Sequence, residues 1–506
     1  MLRPLAFDPE TEAAVRFVED TDPAEIVAGT VERLRAGETR ESLIRAAALA
    51  FTRSTELPAD HHGGPIHPVA GLHAVVNLAG RLNGDRALLP AIQSVALANL
   101  HIHSPEMGPT LMADLESSGG DASAQDLAGQ LGGHLAGHRA LAAERSTLSL
   151  LRKGARQAAL DPILAAGTRR NSLDDHYFLY PLYTLRALDG LGWDLAETLL
   201  RPPVRYLASN ALMEATAGDY DPYIAENVSR YLAFGELKRL VADRRLLERD
   251  LRVETGEDES DAIGALGRRI GESADVGAVP AFLAEALASG LSLEGTGEAL
   301  SYGAGLIYLC ATTGNPFDVH IHTGLNARRY LIGLDGPALE TKLLALVGWA
   351  DGPEVRLAAG TRGHPLPDEY AAVQGSQGSS SQADGLAAIR ESIEAQPTFD
   401  LRTSTVPVEN MREAPQVRET MALAEGYARA GHDPAPFFAL MAELVSHDEA
   451  TEMHAYKMQQ AAFEEFHATR EPYRWVHMVA AARNLATVYR MLPQEIYPQA
   501  ARLLHL

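Results

Sequence analysis

The chain has 506 residues, 46% of them hydrophobic and 22% charged, with Lys+Arg 44 against Asp+Glu 67 and a formal net charge of -23. A surface that acidic repels phosphate backbones, which argues against nucleic acid as a partner, and the apolar fraction is enough for a large core. The single cysteine, Cys310, rules out an intramolecular disulfide and fits a reducing compartment. No uninterrupted apolar run approaches the roughly 20 residues that span a bilayer, and the opening "MLRPLAFDPETEAAV" lacks the apolar core of a signal peptide. The expectation is a soluble, cytoplasmic protein with no membrane partner.

Helical periodicity runs along the chain. Apolar residues recur three and four apart in "AEIVAGTVERLRAG", "ALLPAIQSVALANLHIH" and "VSRYLAFGELKRLVADRRLLERDL". The same spacing follows in "ALSYGAGLIYLCATTG", "VRETMALAEGYARAG" and "MHAYKMQQAAFEEFHAT". Ala and Leu, both strong helix formers, are abundant, and alternating Val, Ile and Tyr runs are nearly absent. The fold class expected is all-α: a large multi-helix body. "TDPAE" reads as a helix start with Asp22 as cap and Pro23 in the first turn, and "GHDPAPFF" as the end of one helix and the start of the next. "SSGGDASAQ" reads as a surface loop and "QGSQGSSSQADG" as a low-complexity flexible stretch. These signals divide the chain into a main helical body (1–350), an irregular linker (351–385) and a C-terminal helical part (386–506) that packs back on the body. Cys310, with no electropositive neighbour in sequence, reads as a buried structural thiol.

The histidines are unevenly placed. "HHGGPIHPVAGLHAVVNLAGRL" carries four of them just before and inside an amphipathic pattern. His67 falls at the helix start, ahead of Pro68. His73 lies about 240° round the helix from it, so only an irregular start brings both to one ion. In "VHIHTGLNARRYL" His320 and His322 point to different faces, with Asn315 and Asp318 as candidate caps. Tyr302, Asn326, Arg328 and Arg329 are candidate substrate anchors near this patch, and Glu298 a candidate supporting carboxylate. In "SHDEATEMHAYKMQQAAFEEFHATREP" His447, His454 and Lys457 are spaced to share one helical face. A lysine on an inward face needs an acidic partner or must be neutral. A neutral amine can take up carbon dioxide as a carbamate, an anionic oxygen ligand. "HPVAGLHAVVNL" and "HIHTGLNARRYL" also share the pattern H-x-x-x-G-L-x-A-x-x-x-L. Nucleotide-cradling loops, H-E-x-x-H, paired C-x-x-C and G-x-S-x-G are all missing.

Three patches resemble the questin-oxidase-like proteins: His67 to Leu78, then His320 with Thr323, Ala327 and Arg329, then the stretch from His454 through Lys457 and Glu465 to the "AAAR" segment. The resemblance implies an all-helical mononuclear non-haem iron oxygenase that opens a ring of a phenolic or quinone-like aromatic polyketide. It implies Fe(2+) held by His67, His320, His454 and a carboxylated Lys457, with one further histidine unassigned. O2 would be the co-substrate and NADPH a candidate reductant. The family's early N-H motif is not present in clean form, and His62 or His73 stands nearest its place. His73 and His322 are the candidate general bases. Two other readings use the same residues: a metal-dependent hydrolase that activates water, and a helical scaffold whose histidines are structural.

Overall fold

The computed structural model describes residues 3–55, 66–105, 111–117, 120–171, 175–209, 234–312, 318–363, 381–396, 417–449, 451, 453–489, 491 and 494–506. Among them there is no strand, only isolated bridges at Pro4–Ala113 and Ala311–Arg362, and the class is all-α as the periodicity indicates. Local chemistry sets many helix starts. The Asp8 carboxylate caps Pro9–Asp20, the Ser292 hydroxyl caps Leu293–Cys310, and the Asp433 carboxylate caps Pro434–Val445 at the point "GHDPAPFF" marks. "TDPAE" behaves differently. Asp22 accepts from the Ala24 amide in a turn that holds Pro23, and the helix begins later, at Ile26.

The chain resolves into two compact units: residues 1–222 with 335–338 and 494–506, and residues 223–334 with 339–493. The division falls near residue 222 and not in the 351–385 stretch where composition places a linker. Within that stretch, the described residues 351–363 are tied down. Pro353–Ala359 forms a helix against Val319–Gly333. The Thr312 amide donates to the Thr361 carbonyl at 2.9 Å and the Gly363 amide to the Cys310 carbonyl at 2.9 Å. Residues 382–385 already belong to the helix Gln382–Glu394, and the low-complexity residues 374–380 lie outside the described residues. This strap also sets Arg362 close enough to Cys310 for charge to couple them, so the buried thiol does have a cationic neighbour, one invisible in sequence.

In the first unit, Pro9–Asp20, Arg40–Ser54 and Leu89–His103 pack on one another around a buried Arg53, which is bound by Glu12 and Glu19. The helix Asp175–Leu191 lies on His67–Ala70 and Leu72–Arg81. The C-terminal helix Ile496–Leu504 buries Ile496, Ala500 and Leu504 against Ile26–Arg35 and Leu89–His103.

In the second unit, Leu293–Cys310 is buried almost along its whole length. It packs on Ser260–Glu272, Val319–Gly333 and Glu471–Val488, and His454–Ala468 lies against the last two. Its contact with Ser260–Glu272 is as close as glycine permits. A Cβ on Gly303 would stand 2.6 Å from the Ile270 Cβ and 2.7 Å from the Gly267 carbonyl oxygen. Asp318 precedes Val319–Gly333 in the cap position, but its carboxylate is not used as a cap. It accepts from Arg483 at 2.8 Å in a pair with no solvent exposure on either side.

Candidate metal centre

The second unit brings His320 and His454 together. His320 lies in the first turn of Val319–Gly333, and His454 opens His454–Ala468. Their rings are 5.3 Å apart between centroids, inclined at 50°, and both side chains are buried. A loop built for the purpose orients His454. The Asp448 carboxylate accepts from the Thr451 amide at 3.2 Å and from the Thr451 hydroxyl. The Thr451 hydroxyl oxygen accepts from the Ala455 amide at 3.0 Å and so caps the helix. The Thr451 carbonyl then receives His454 Nδ1–H at 2.8 Å. That donation fixes the tautomer, leaving the lone pair on Nε2, and a backbone carbonyl on the far nitrogen is how proteins aim an imidazole ligand. Met453, immediately before, holds φ +67, a left-handed conformation rare for a side chain of its size.

One further group reaches the pair, and another shares the helix of His454. Lys457, one turn along from His454, is 3% exposed. Glu354, on Pro353–Ala359, puts a carboxylate oxygen 3.8 Å from His320 Nδ1. Two imidazoles and a carboxylate are the donor set of non-haem Fe(II) centres, and a carbamylated Lys457 would add an anionic oxygen. By donor type these residues suit a divalent ion: His320 and Glu354 stand close together, and the fixed tautomer of His454 aims a lone pair from the neighbouring helix.

His447 does not share the face that its spacing with His454 and Lys457 suggests. The helix begins only at His454, the left-handed Met453 breaks the periodicity, and the His447 ring packs on Tyr489 with centroids 5.4 Å apart. Glu298 is not a support for the site either: it accepts three hydrogen bonds from Arg470, at 2.7 to 3.0 Å.

In the first unit the helix start is irregular, as the two histidines of that segment require for convergence: His67–Ala70 is followed by a break at Gly71. The two still face different partners. His67 Nε2 stands 3.1 Å from Nε2 of His176, both buried. His73 Nε2 receives a guanidinium N–H of Arg186 at 2.9 Å, and Asn77 lies beside Nδ1. His176 was not legible in sequence. It sits inside the apolar run "HYFLYPLYTL", and its partner is 109 positions away. His61 and His62 lie outside the described residues.

His322 points away from His320, as two residues apart on a helix must, into a buried polar chain. Ser301 donates to the Glu465 carboxylate at 2.6 Å, which uses its one proton. It therefore accepts from His477 Nε2–H at 3.1 Å, and His477 Nδ1 in turn accepts from His322 Nε2–H at 3.2 Å. This leaves the lone pair on His322 Nδ1, a buried atom with no hydrogen-bond partner. Burial, then the neighbouring His477 and Arg483, hold the His322 pKa well below its ordinary value, so the ring is neutral at neutral pH. Burial also pushes His477 down to about 4, against the pull of Glu465.

The anchors expected for a substrate are engaged internally. Asn326 and Arg329 donate to Glu465, Arg328 donates to the carbonyls of Gly324 and Ala345, and Tyr302 stacks on Tyr473 at 4.8 Å. An open surface groove of about 750 Å³ in the first unit is lined by no histidine, and its Arg33 and Arg45 already pair with Glu38 and Asp194. No helix among the described residues is long and apolar enough to cross a membrane. No family model, no curated protein and no solved structure matches the chain.

Proposed function

We propose that this chain is a metal-dependent oxygenase of the questin-oxidase-like kind, acting on a phenolic or quinone-like aromatic compound. His320 and His454 would hold the ion, and Glu354 or a carbamylated Lys457 would supply negative charge. The observation that carries the reading is the pair itself. Two buried imidazoles from helices remote in sequence face each other, and one has its tautomer set by the Thr451 carbonyl. Fe(2+) held by these residues would supply a redox-active centre with room for O2. The protein's own part is to keep the imidazoles aimed, and to exclude water around them by burial. In the first unit, His67 and His176 form a second imidazole pair with facing Nε2 atoms.

The test is metal analysis of the full chain, purified aerobically and anaerobically without a histidine tag, with oxygen uptake followed on a panel of hydroxyanthraquinones. About one equivalent of iron is expected, falling below a tenth in His454→Ala and in His320→Ala while the helical circular dichroism persists. Zinc with no oxygen uptake would move the same residues to hydrolysis. Metal-free protein whose properties survive both substitutions leaves only the scaffold.

A further inference from the structure

We propose that Glu465 is the register key of the metal centre: its carboxylate bonds the helix that carries His454 to the helix that carries His320 and so sets how the two imidazoles meet. The inference rests on the metal reading above for its consequence, but not for its geometry.

Glu465 lies on His454–Ala468, about three turns beyond His454. Its side chain is 1% exposed. Oε1 accepts from Asn326 Nδ2 at 2.8 Å, and Oε2 accepts from Arg329. Both donors lie on Val319–Gly333, one to two turns and more beyond His320. Oε2 also accepts from Ser301, on the central helix Leu293–Cys310, at 2.6 Å. Arg329 extends the link further along the same helix by donating to the Ala468 carbonyl at 2.8 Å. One carboxylate therefore joins three helices, and its bonds run between the two that bear the candidate ligands.

The buried residues of His454–Ala468 mix small side chains, Ala455, Ala461 and Ala462, with larger ones such as Tyr456, Met458 and Phe466. A specific polar contact chooses one register among those that packing allows, which is the best-attested role of a buried charged or polar group. Desolvation makes a buried carboxylate costly, yet these donors keep its pKa below the ordinary carboxylate value, so it stays charged where it is buried. Shifted by one turn, about 5.4 Å, the same contact would leave Glu465 buried without Asn326 or Arg329. That is the penalty that excludes the alternative.

The experiment uses the full chain with Cys310→Ala and paired spin labels at Gly333→Cys and Ala468→Cys, both exposed positions at the ends of the two helices. The distance distribution is recorded without metal and again during a Co(2+) titration, for the parent, for Glu465→Gln, and for Glu465→Leu combined with Arg329→Met. The double substitution removes both charges together, so it should recover the melting temperature that Glu465→Gln loses. In both variants the metal-free distribution is expected to broaden or gain a population displaced by up to about 5 Å. A single unchanged distance in either variant, above all in a double variant that has regained its stability, overturns the proposal. The Co(2+) readout tests the metal reading by itself. A parent that gives no histidine-ligand visible bands fails as a metalloprotein even if the distances move. A parent that gives them should bind Co(2+) more weakly, with shifted bands, in Glu465→Gln.

Discussion

Acidification acts on the second unit through His477. The ring is fully buried, donates through Nε2 to Ser301 and accepts at Nδ1 from His322, so neither nitrogen can take another proton without breaking a bond. Its pKa is pushed down to about 4 from an ordinary 6.5, burial being the largest cause and Arg329 adding to it, while Glu465 pulls the other way. A group whose folded pKa lies below its unfolded one binds its proton in the unfolded chain first. The stability it confers is therefore complete above pH 6.5 and falls as the pH drops toward 4. The gap, 6.5 − 4, is about 2.5 units, and at 1.36 kcal/mol per unit it amounts to about 3 kcal/mol. The assay is urea unfolding at a series of pH values from 7 to 4, for the parent and for His477→Gln. The variant is less stable at neutral pH but lacks this titration, so its stability should decline less steeply by about 3 kcal/mol over the interval. Parallel slopes for the two proteins refute the reasoning. Glu465 does not confuse the result. Its pKa is lowered from 4.5, so its stability is present above that value and is lost only at lower pH, as the folded pKa is crossed.

Three further outcomes are expected. Asp448→Asn removes the charge that holds Thr451 and through it the His454 ring, and should weaken Co(2+) binding by about 10- to 100-fold with little change in helix content; an unaltered titration curve counts against the orienting loop. Asp318→Asn leaves Arg483 charged and unexposed, and should cost about 3–5 kcal/mol in urea unfolding. Gly303→Ala forces a methyl group into Ile270 and the Gly267 carbonyl, and should lower stability by about 1–3 kcal/mol; a loss below a few tenths would mean that the two helices separate freely.

How much of this was legible in the sequence follows from the range of each signal. The helices were, because apolar spacing is a local property repeated every turn. The opposed faces of His320 and His322 were legible for the same reason, and so was the His454–Lys457 spacing. His447 was misplaced because one left-handed residue, Met453, ends the periodicity between them, and nothing in "TEMHAYK" announces that conformation. His176 and Glu354 were missed. Each gains its meaning from a partner in a different segment, and the apolar run around His176 reads as plain core. The candidate substrate anchors show the opposite limit. Asn326, Arg328 and Arg329 looked available only because Glu465 and the carbonyls of Gly324 and Ala345 are distant in sequence or belong to the backbone. Composition at 351–385 says little about the hydrogen bonds that tie Thr361 and Gly363 to residues 310–312.

The return of Ile496–Leu504 to Ile26–Arg35 and Leu89–His103 makes the second unit an insertion within the first. A ribosome therefore finishes the inserted unit before it releases the segment that packs on Ile26–Arg35 and Leu89–His103. The earlier-made part waits, incomplete, while residues 223–493 are synthesised. Newly made chains caught in that interval are where chaperone demand and aggregation should concentrate.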